Sequence, residues 1–231
     1  MSIHYWGIVP AAGIGSRMRQ EKPKQYIKID DRTVIEYSLD ALLKNKKIQK
    51  IVVALASDDQ YWHDLPVSKL AKIIVAQGGE ERMSSVLNAL HALSGLAQDD
   101  DWVLVHDAAR PLLTSDALEK LIDHIEDHPV GGILGVPIVD TLKHVNDGII
   151  SNTVSREYLW AAQTPQMFRY GILMNAIETA QRNHEKITDE SGAIELAGHE
   201  SLIVEGDSFN IKLTRQSDLN FIKHFLLQVM L

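Results

Sequence analysis

A rhythm runs through the first 139 residues of this chain, in which short β-rich apolar runs alternate with amphipathic stretches of helical period. Strands that return through helices pair in parallel, and such a sheet needs helices on both faces. The expected strands are Trp6 to Val9, Ile51 to Leu55, Lys72 to Ala76, Trp102 to Val105 and Ile133 to Val139. Thr33 caps a helix to about Lys44 that turns Ile35, Leu39 and Leu42 to one side. Val86, Leu87, Leu90 and Leu93 repeat at helical spacing between Glu81 and Leu93, and Ser115 opens a helix to about Glu126. The expected fold is α/β, with a Rossmann-like, mostly parallel sheet.

The rhythm changes near Asp140. Thr141 to Val145 and Ile149 to Val154 can pair across Asn146-Asp147-Gly148, which contains the Asp-Gly hairpin signal. The sequence therefore predicts a projecting β-arm at about 139–159. A loop over Trp160 to Phe168 is expected next, then helices at Tyr170 to Arg182 and Asp189 to Ala197. Strands at Leu202 to Val204 and Ile211 to Leu213 precede a last helix from about Ser217. No repeat, low-complexity tract or Gly/Ser linker divides the chain, so 1–231 reads as one domain with an arm.

Composition removes several function classes. Cysteine is absent, so no disulfide framework and no thiolate metal site is possible. The net charge of −8 argues against non-specific binding to nucleic acid or to an anionic membrane. No run approaches the ~18 apolar residues of a membrane span, and the opening Met-Ser-Ile-His-Tyr-Trp shows no secretory pattern. A cytoplasmic protein is expected.

Ligands of open α/β sheets bind at the carboxyl ends of the strands, and three polar clusters fall there. The first is Pro10-Ala11-Ala12-Gly13-Ile14-Gly15-Ser16-Arg17-Met18, continuing through Lys22-Pro23-Lys24-Gln25. Small residues let backbone N–H groups approach a phosphate, and Arg17, Lys22 and Lys24 supply cations. Met18 stands where a dinucleotide fingerprint needs its third glycine, and no Gly-Lys-Ser/Thr occurs, which excludes a Walker-type loop. The second cluster is His106-Asp107-Ala108-Ala109-Arg110-Pro111. Asp107 there can hold Mg²⁺ beside substrate phosphates, or it can merely cap a turn, with Arg110 in a surface ion pair. The third is dispersed over Thr141, Lys143, Arg156, Gln163-Thr164-Pro165-Gln166, Thr188-Asp189-Glu190 and Asn210 to Thr214. Spacing alone assigns these no role, since Thr-Asp-Glu equally suits a helix N-terminus.

The ordered set PAAGIGSRM, KPKQY, GGEERMSSV, VLVHDAARP, PIVDTLK, QTPQ, TDE and NIKLT resembles the 2-C-methyl-D-erythritol 4-phosphate cytidylyltransferase family of the non-mevalonate isoprenoid pathway. The resemblance spans essentially the whole chain. It implies a glycosyltransferase-like nucleotidyltransferase using CTP and methylerythritol phosphate, with Mg²⁺, and a homodimer joined through the arms. Carried over by position, Pro10, Ala11, Ala12, Gly13, Ile14 and Gly15 wrap the nucleotide, with Gly79, Glu80, Ser85, Asp107 and Ala108. Either Glu80 or Glu81 suits the ribose side. Arg17 and Lys24 stabilise charge at the α-phosphate, and Asp107 lies near the metal. Thr141, Arg156 and Lys212 hold the acceptor phosphate, while Arg110, Thr164 and Thr188 line its pocket. Ribitol 5-phosphate cytidylyltransferases share the loop, the cations and much of the arm. A catalytically silent nucleotide-binding subunit is the alternative from another class.

Overall fold

The computed structural model describes residues 3–13 and 22–229. Among them a seven-stranded sheet is built from β1 (Tyr5–Pro10), β4 (Ile48–Leu55), β5 (Ile73–Gln77), β6 (Trp102–Val105), β7 (Gly131–Pro137), β10 (Trp160–Arg169) and β11 (Leu202–Glu205). Its order is β11-β7-β10-β6-β1-β4-β5. Every pairing is parallel except the two made by β10, which runs antiparallel to both β6 and β7.

Side-chain alternation along the strands explains the two covered faces. Val9, Ile51, Val53, Trp102 and Leu104 point to one side and pack under α1 (Val34–Lys44) and α3 (Ser115–Ile125). Ile8, Val52, Val103 and Val105 point to the other, under α2 (Arg82–Ala92), α4 (Tyr170–Arg182) and α5 (Glu190–Leu196). Each fully buried side chain of this size contributes about 1.5–3 kcal/mol through its removal from water. A third cluster joins Leu219 and Ile222 of α6 (Gln216–Val229) to Tyr37, Leu112 and Leu213, and to Ile29 of the short ribbon β2 (Lys28–Ile29) and β3 (Arg32–Thr33).

Helix starts follow local chemistry. At α1 the Glu36 carboxylate reaches back to accept both the N–H and the hydroxyl of Thr33, each at 2.8 Å. Thr114 Oγ1 accepts the Ala117 N–H at the start of α3, and Asp189 does the same for Gly192 at α5.

The predicted strands and helices are all found, with ends matching or shifted by at most three residues, apart from two segments. Trp160 to Phe168, expected as a loop, lies within β10. Pro165 and the polar residues around it argue against a central strand, yet pairing with β7 breaks only between Ala162 and Gln166, where the proline sits. Ile211 to Leu213, expected as a strand, joins no sheet. Among the described residues its one link of that kind is the Leu213 N–H donated to the Ala109 carbonyl at 2.8 Å.

The arm is present as β8 (Leu142–Asn146) and β9 (Ile149–Val154), paired antiparallel as a separate two-stranded sheet. Asp147 and Gly148 take φ values of 47° and 80°, the left-handed pair that a two-residue hairpin turn demands. Apolar groups stand in the open along it, with Ile149 74% and Tyr158 90% exposed.

Candidate active site

Because β1, β5 and β6 run the same way, the segments that follow them converge on a cavity of about 350 Å³, a volume suited to a small molecule. Pro10 to Gly13 form one wall, and Gly79 to Arg82 with Ser85 form another. Asp107 to Ala109 lie at the base, and Lys24, Gln25, Lys212 and Thr214 complete the lining. The two loops meet closely enough that a Cβ on Gly78 would collide with Ala12, and a Cβ on Gly79 would collide with Ser84 of α2. Ser85 Oγ accepts the Gly79 N–H at 3.0 Å and fixes that turn against α2.

Asp107 is the electrostatic centre. Arg82 Nε reaches its Oδ1 at 2.9 Å, while Lys212 Nζ and Arg110 Nε reach Oδ2 at 2.9 and 3.4 Å. Arg82 also grips Glu190 with both terminal nitrogens, at 2.6 and 3.0 Å, and Glu190 is fully buried. Three cations therefore face two carboxylates, and Lys24, whose Nζ donates to Leu213 O at 2.8 Å, adds another positive charge at the wall. Glu80 and Glu81 also line the cavity, so its charges balance, and an anionic ligand would be held by locally placed cations such as Lys24 and Lys212 rather than by a net surplus. Burial alone would raise the Asp107 carboxyl, but Arg82, then Lys212 and Arg110, hold it well below the usual carboxylate range. Glu190 goes the other way: its burial outweighs Arg82 and pushes its carboxyl up.

His106 lies beneath this centre. Its Nε2 is 3.1 Å from the Arg110 carbonyl, which can only accept, so Nε2 carries the proton. Nδ1 then accepts the Thr164 hydroxyl at 2.9 Å, and Thr164 Oγ1 accepts the Asp107 N–H at 3.1 Å. Burial lowers the His106 ring to about 4. Unfolded histidine titrates near 6.5, so between these values the unfolded chain binds the extra proton. Stability then falls as pH drops from about 6.5 to 4, by up to about 3 kcal/mol from this group. Urea unfolding across that range checks this, with the His106→Gln variant expected to lose that part of the slope. An unchanged slope in the variant contradicts a buried neutral ring.

The structure brings Pro10, Ala11, Ala12, Gly13, Lys24, Gly79, Glu80, Ser85, Asp107, Ala108 and Lys212 to one cavity. Both Glu80 and Glu81 line it. Ile14, Gly15 and Arg17 lie outside the described residues. Arg110 sits behind Asp107, donating to the Asn210 carbonyl at 2.6 Å. Thr164 is buried, with its hydroxyl engaged by His106 and Asp107 as described. Thr141 and Thr188 are exposed and stand off the cavity wall. Arg156, in the arm's base, is exposed and pairs with no carboxylate among the described residues.

Sequence reasoning assigned no part to Arg82 or Glu190. One signal was available: Arg82 is the first residue of a helix, where a cation opposes the macrodipole unless carboxylates face it. Gln166 supports the pair. Its Oε1 accepts the Ser191 N–H at 2.9 Å and its Nε2 donates to Asp189 at 2.8 Å, anchoring α5 and hence Glu190.

No group of three His, Asp or Glu side chains among the described residues would hold a metal by itself. Both Asp107 oxygens are already taken.

The model of the family described as 2-C-methyl-D-erythritol 4-phosphate cytidylyltransferase matches residues 6–228. A protein of that name from Pseudomonas entomophila is 48% identical over 221 residues, covering 95% of this chain and 94% of its own. Its namesake from Pseudomonas aeruginosa is 48% identical over 217 residues, covering 93% of each. A crystal structure of 4-diphosphocytidyl-2C-methyl-D-erythritol synthase superposes with a TM-score of 0.86 at 35% identity, over 98% of this chain and 100% of that one. The Francisella tularensis 2-C-methyl-D-erythritol 4-phosphate cytidylyltransferase gives 0.84 at 36%, over 96% and 99%. With the match running from β1 to the end of α6, and the cavity built from the segments that carried the resemblance, this chain belongs to the 2-C-methyl-D-erythritol 4-phosphate cytidylyltransferase family.

Proposed function

We propose that the protein transfers CMP from CTP to 2-C-methyl-D-erythritol 4-phosphate, releasing pyrophosphate, in isoprenoid precursor synthesis. The acceptor's phosphate oxygen attacks the α-phosphorus in line, forming the new P–O bond as the bond to the β-phosphate oxygen breaks. Little covalent work falls to the protein, so orientation and charge stabilisation carry the rate. The carrying observation is the single cavity that unites the Pro10–Gly13 loop, the Gly79–Ser85 turn, Lys24 and the Asp107–Lys212 pair. In this reading the loop and turn hold the nucleotide, with Arg17 and Lys24 at the α-phosphate. Asp107 sets Lys212 beside the acceptor.

Mg²⁺ would serve as the counter-ion of CTP and temper the charge of its phosphates, with Asp107 the carboxylate beside it. The arms join two copies, because a two-stranded hairpin with exposed Ile149, Ile150 and Tyr158 is marginal alone in water. Arg156, Thr141 and Thr188 then serve acceptor sites completed across the dimer. The same reading places the work in the cytoplasm, and no described helix is long and apolar enough to cross a membrane.

The test is pyrophosphate release with CTP, Mg²⁺ and methylerythritol phosphate, together with isolation of the CDP-alcohol. Ribitol 5-phosphate and ATP serve as the competing acceptor and donor. Product is expected only with the first set. Equal turnover with ATP or with ribitol phosphate overturns the substrate assignment, and full activity in excess chelator overturns the role of Mg²⁺.

A further inference from the structure

Three consecutive side chains after Pro23 fan out to three different segments. Lys24 reaches the Leu213 carbonyl, and the Tyr26 hydroxyl donates to Asp59 at 2.6 Å. Between them, Gln25 is 4% exposed, and its Nε2 donates to two carbonyls of the cavity loop, Ala11 O at 2.7 Å and Gly13 O at 3.1 Å. Both partners can only accept, so the nitrogen of the amide is the end that faces them.

A peptide unit is planar and trans, so its N–H points opposite to its C=O. With the Ala11 carbonyl held by Gln25, the Ala12 N–H is turned away from Gln25. The Ala12 and Gly13 N–H groups donate to no acceptor among the described residues, and both residues line the cavity. The Ala11 N–H, by contrast, is tied to Ala54 O at 2.8 Å and fixes the loop's root to β4. An unpaired backbone donor in a cavity wall is a strong site for an anionic oxygen.

We infer that Gln25 is a positioning residue for the nucleotide: by holding the Ala11 and Gly13 carbonyls it keeps their oxygens off the phosphates of CTP, and through the Ala11 peptide it leaves the Ala12 N–H to face them. This rests on the nucleotide-binding reading above and adds to it the side chain that sets the loop's polarity. A loop of small residues has little packing to choose between its two faces. With both carbonyls free to turn, the same wall would offer oxygens to a polyanion. One amide side chain with two donors on one nitrogen suits the task, and no apolar side chain of that shape replaces it.

The experiment uses the full chain and two variants. Gln25→Met keeps the length and removes the donor. Gln25→Glu also keeps the shape but sets a carboxylate against two carbonyl oxygens. Calorimetry reads the binding of Mg²⁺-CTP and of inorganic pyrophosphate, and kinetics give KM for CTP and for the acceptor separately. Gln25→Met is expected to weaken CTP binding on the order of tenfold, matching the loss of two net hydrogen bonds, with the acceptor KM within about twofold of wild type. Gln25→Glu is expected to weaken it more near pH 8 and to recover towards wild type near pH 5, because burial against two carbonyl oxygens raises the introduced carboxyl so that it takes a proton there and donates again. A packing defect moves both KM values together and gives a deficit independent of pH, so either pattern overturns the proposal. So does CTP binding by Gln25→Met equal to wild type. If Gln25→Met does not fold, the pH course of Gln25→Glu decides alone. Failure of the wild type to bind CTP overturns the nucleotide reading and this inference together. Normal wild-type binding with indifferent variants overturns this inference only.

Discussion

Lys24→Ala is expected to lower kcat by about 10²–10³, on the scale of removing one preorganised donor from an acyl-transfer site, while the KM for CTP moves little. The ammonium stands on the cavity wall, on a short 3₁₀ turn that starts directly after Pro23. Its hydrogen bond to Leu213 O ties that turn to the segment carrying Lys212, so two of the site's cations are fixed relative to one another. As the acceptor oxygen approaches and pyrophosphate departs, negative charge at the α-phosphate grows and shifts. A cation already in place there stabilises the transition state more than the ground state, which is the condition for an effect on kcat. The neighbouring Gln25 is expected to show the opposite signature, a change in CTP affinity, although one peptide bond separates the two. Steady-state pyrophosphate release under saturating acceptor measures this. A Lys24→Ala enzyme with near-normal kcat would reduce Lys24 to a binding or surface role.

Arg156→Ala is expected to abolish most activity, and in the proposed dimer the loss is rescued by a partner that is itself dead. On its own chain Arg156 is exposed and away from the cavity wall. If it completes the partner's acceptor site, a mixed dimer of Lys24→Ala and Arg156→Ala chains has one site lacking both residues and one intact site. Equal mixing with free exchange makes half the dimers mixed, so activity returns to roughly a quarter of wild type under two-fold pairing. If Arg156 served its own chain, every site would still lack a cation and nothing would return. Subunit exchange is verified by differently tagged chains. No recovery despite exchange leaves the arm as a dimerisation device without a share in the chemistry.

The parallel core was legible because buried strands such as Trp102–Val105 are short, apolar and followed at once by polar residues. That same break in character made Asp107 a candidate, and only the family motifs gave it a role. β10 was hidden because Pro165, Gln163 and Gln166 carry the signs of a loop, and only a strand buried on both sides and broken at its proline accommodates them. The Arg82–Glu190 pair was hidden for another reason. Its partners are 108 residues apart, and no periodicity encodes which charge meets which across that span. Ile211 to Leu213 has a strand's composition, but its place beside Ala109 leaves it serving the cavity, with Leu213 buried and its carbonyl turned to Lys24.

The direction of β10 also bears on how the molecule can be assembled. β1, β4, β5 and β6 are complete by residue 105 and pair among themselves, so that half of the sheet can form early. β7 is made next, but its only partners in the sheet are β10 and β11, both still to come. Until β10 slides between β6 and β7, the newly made strand has two open edges and nothing to hold it against the finished half. The arm lies between β7 and β10 in the chain, so its residues are made before the sheet can be completed. Closing that gap joins partners far apart in sequence, which makes it the slow kind of step. During it, the exposed edges of β7 and the bare apolar face of the arm stand open together, and a second nascent chain offers the same two surfaces.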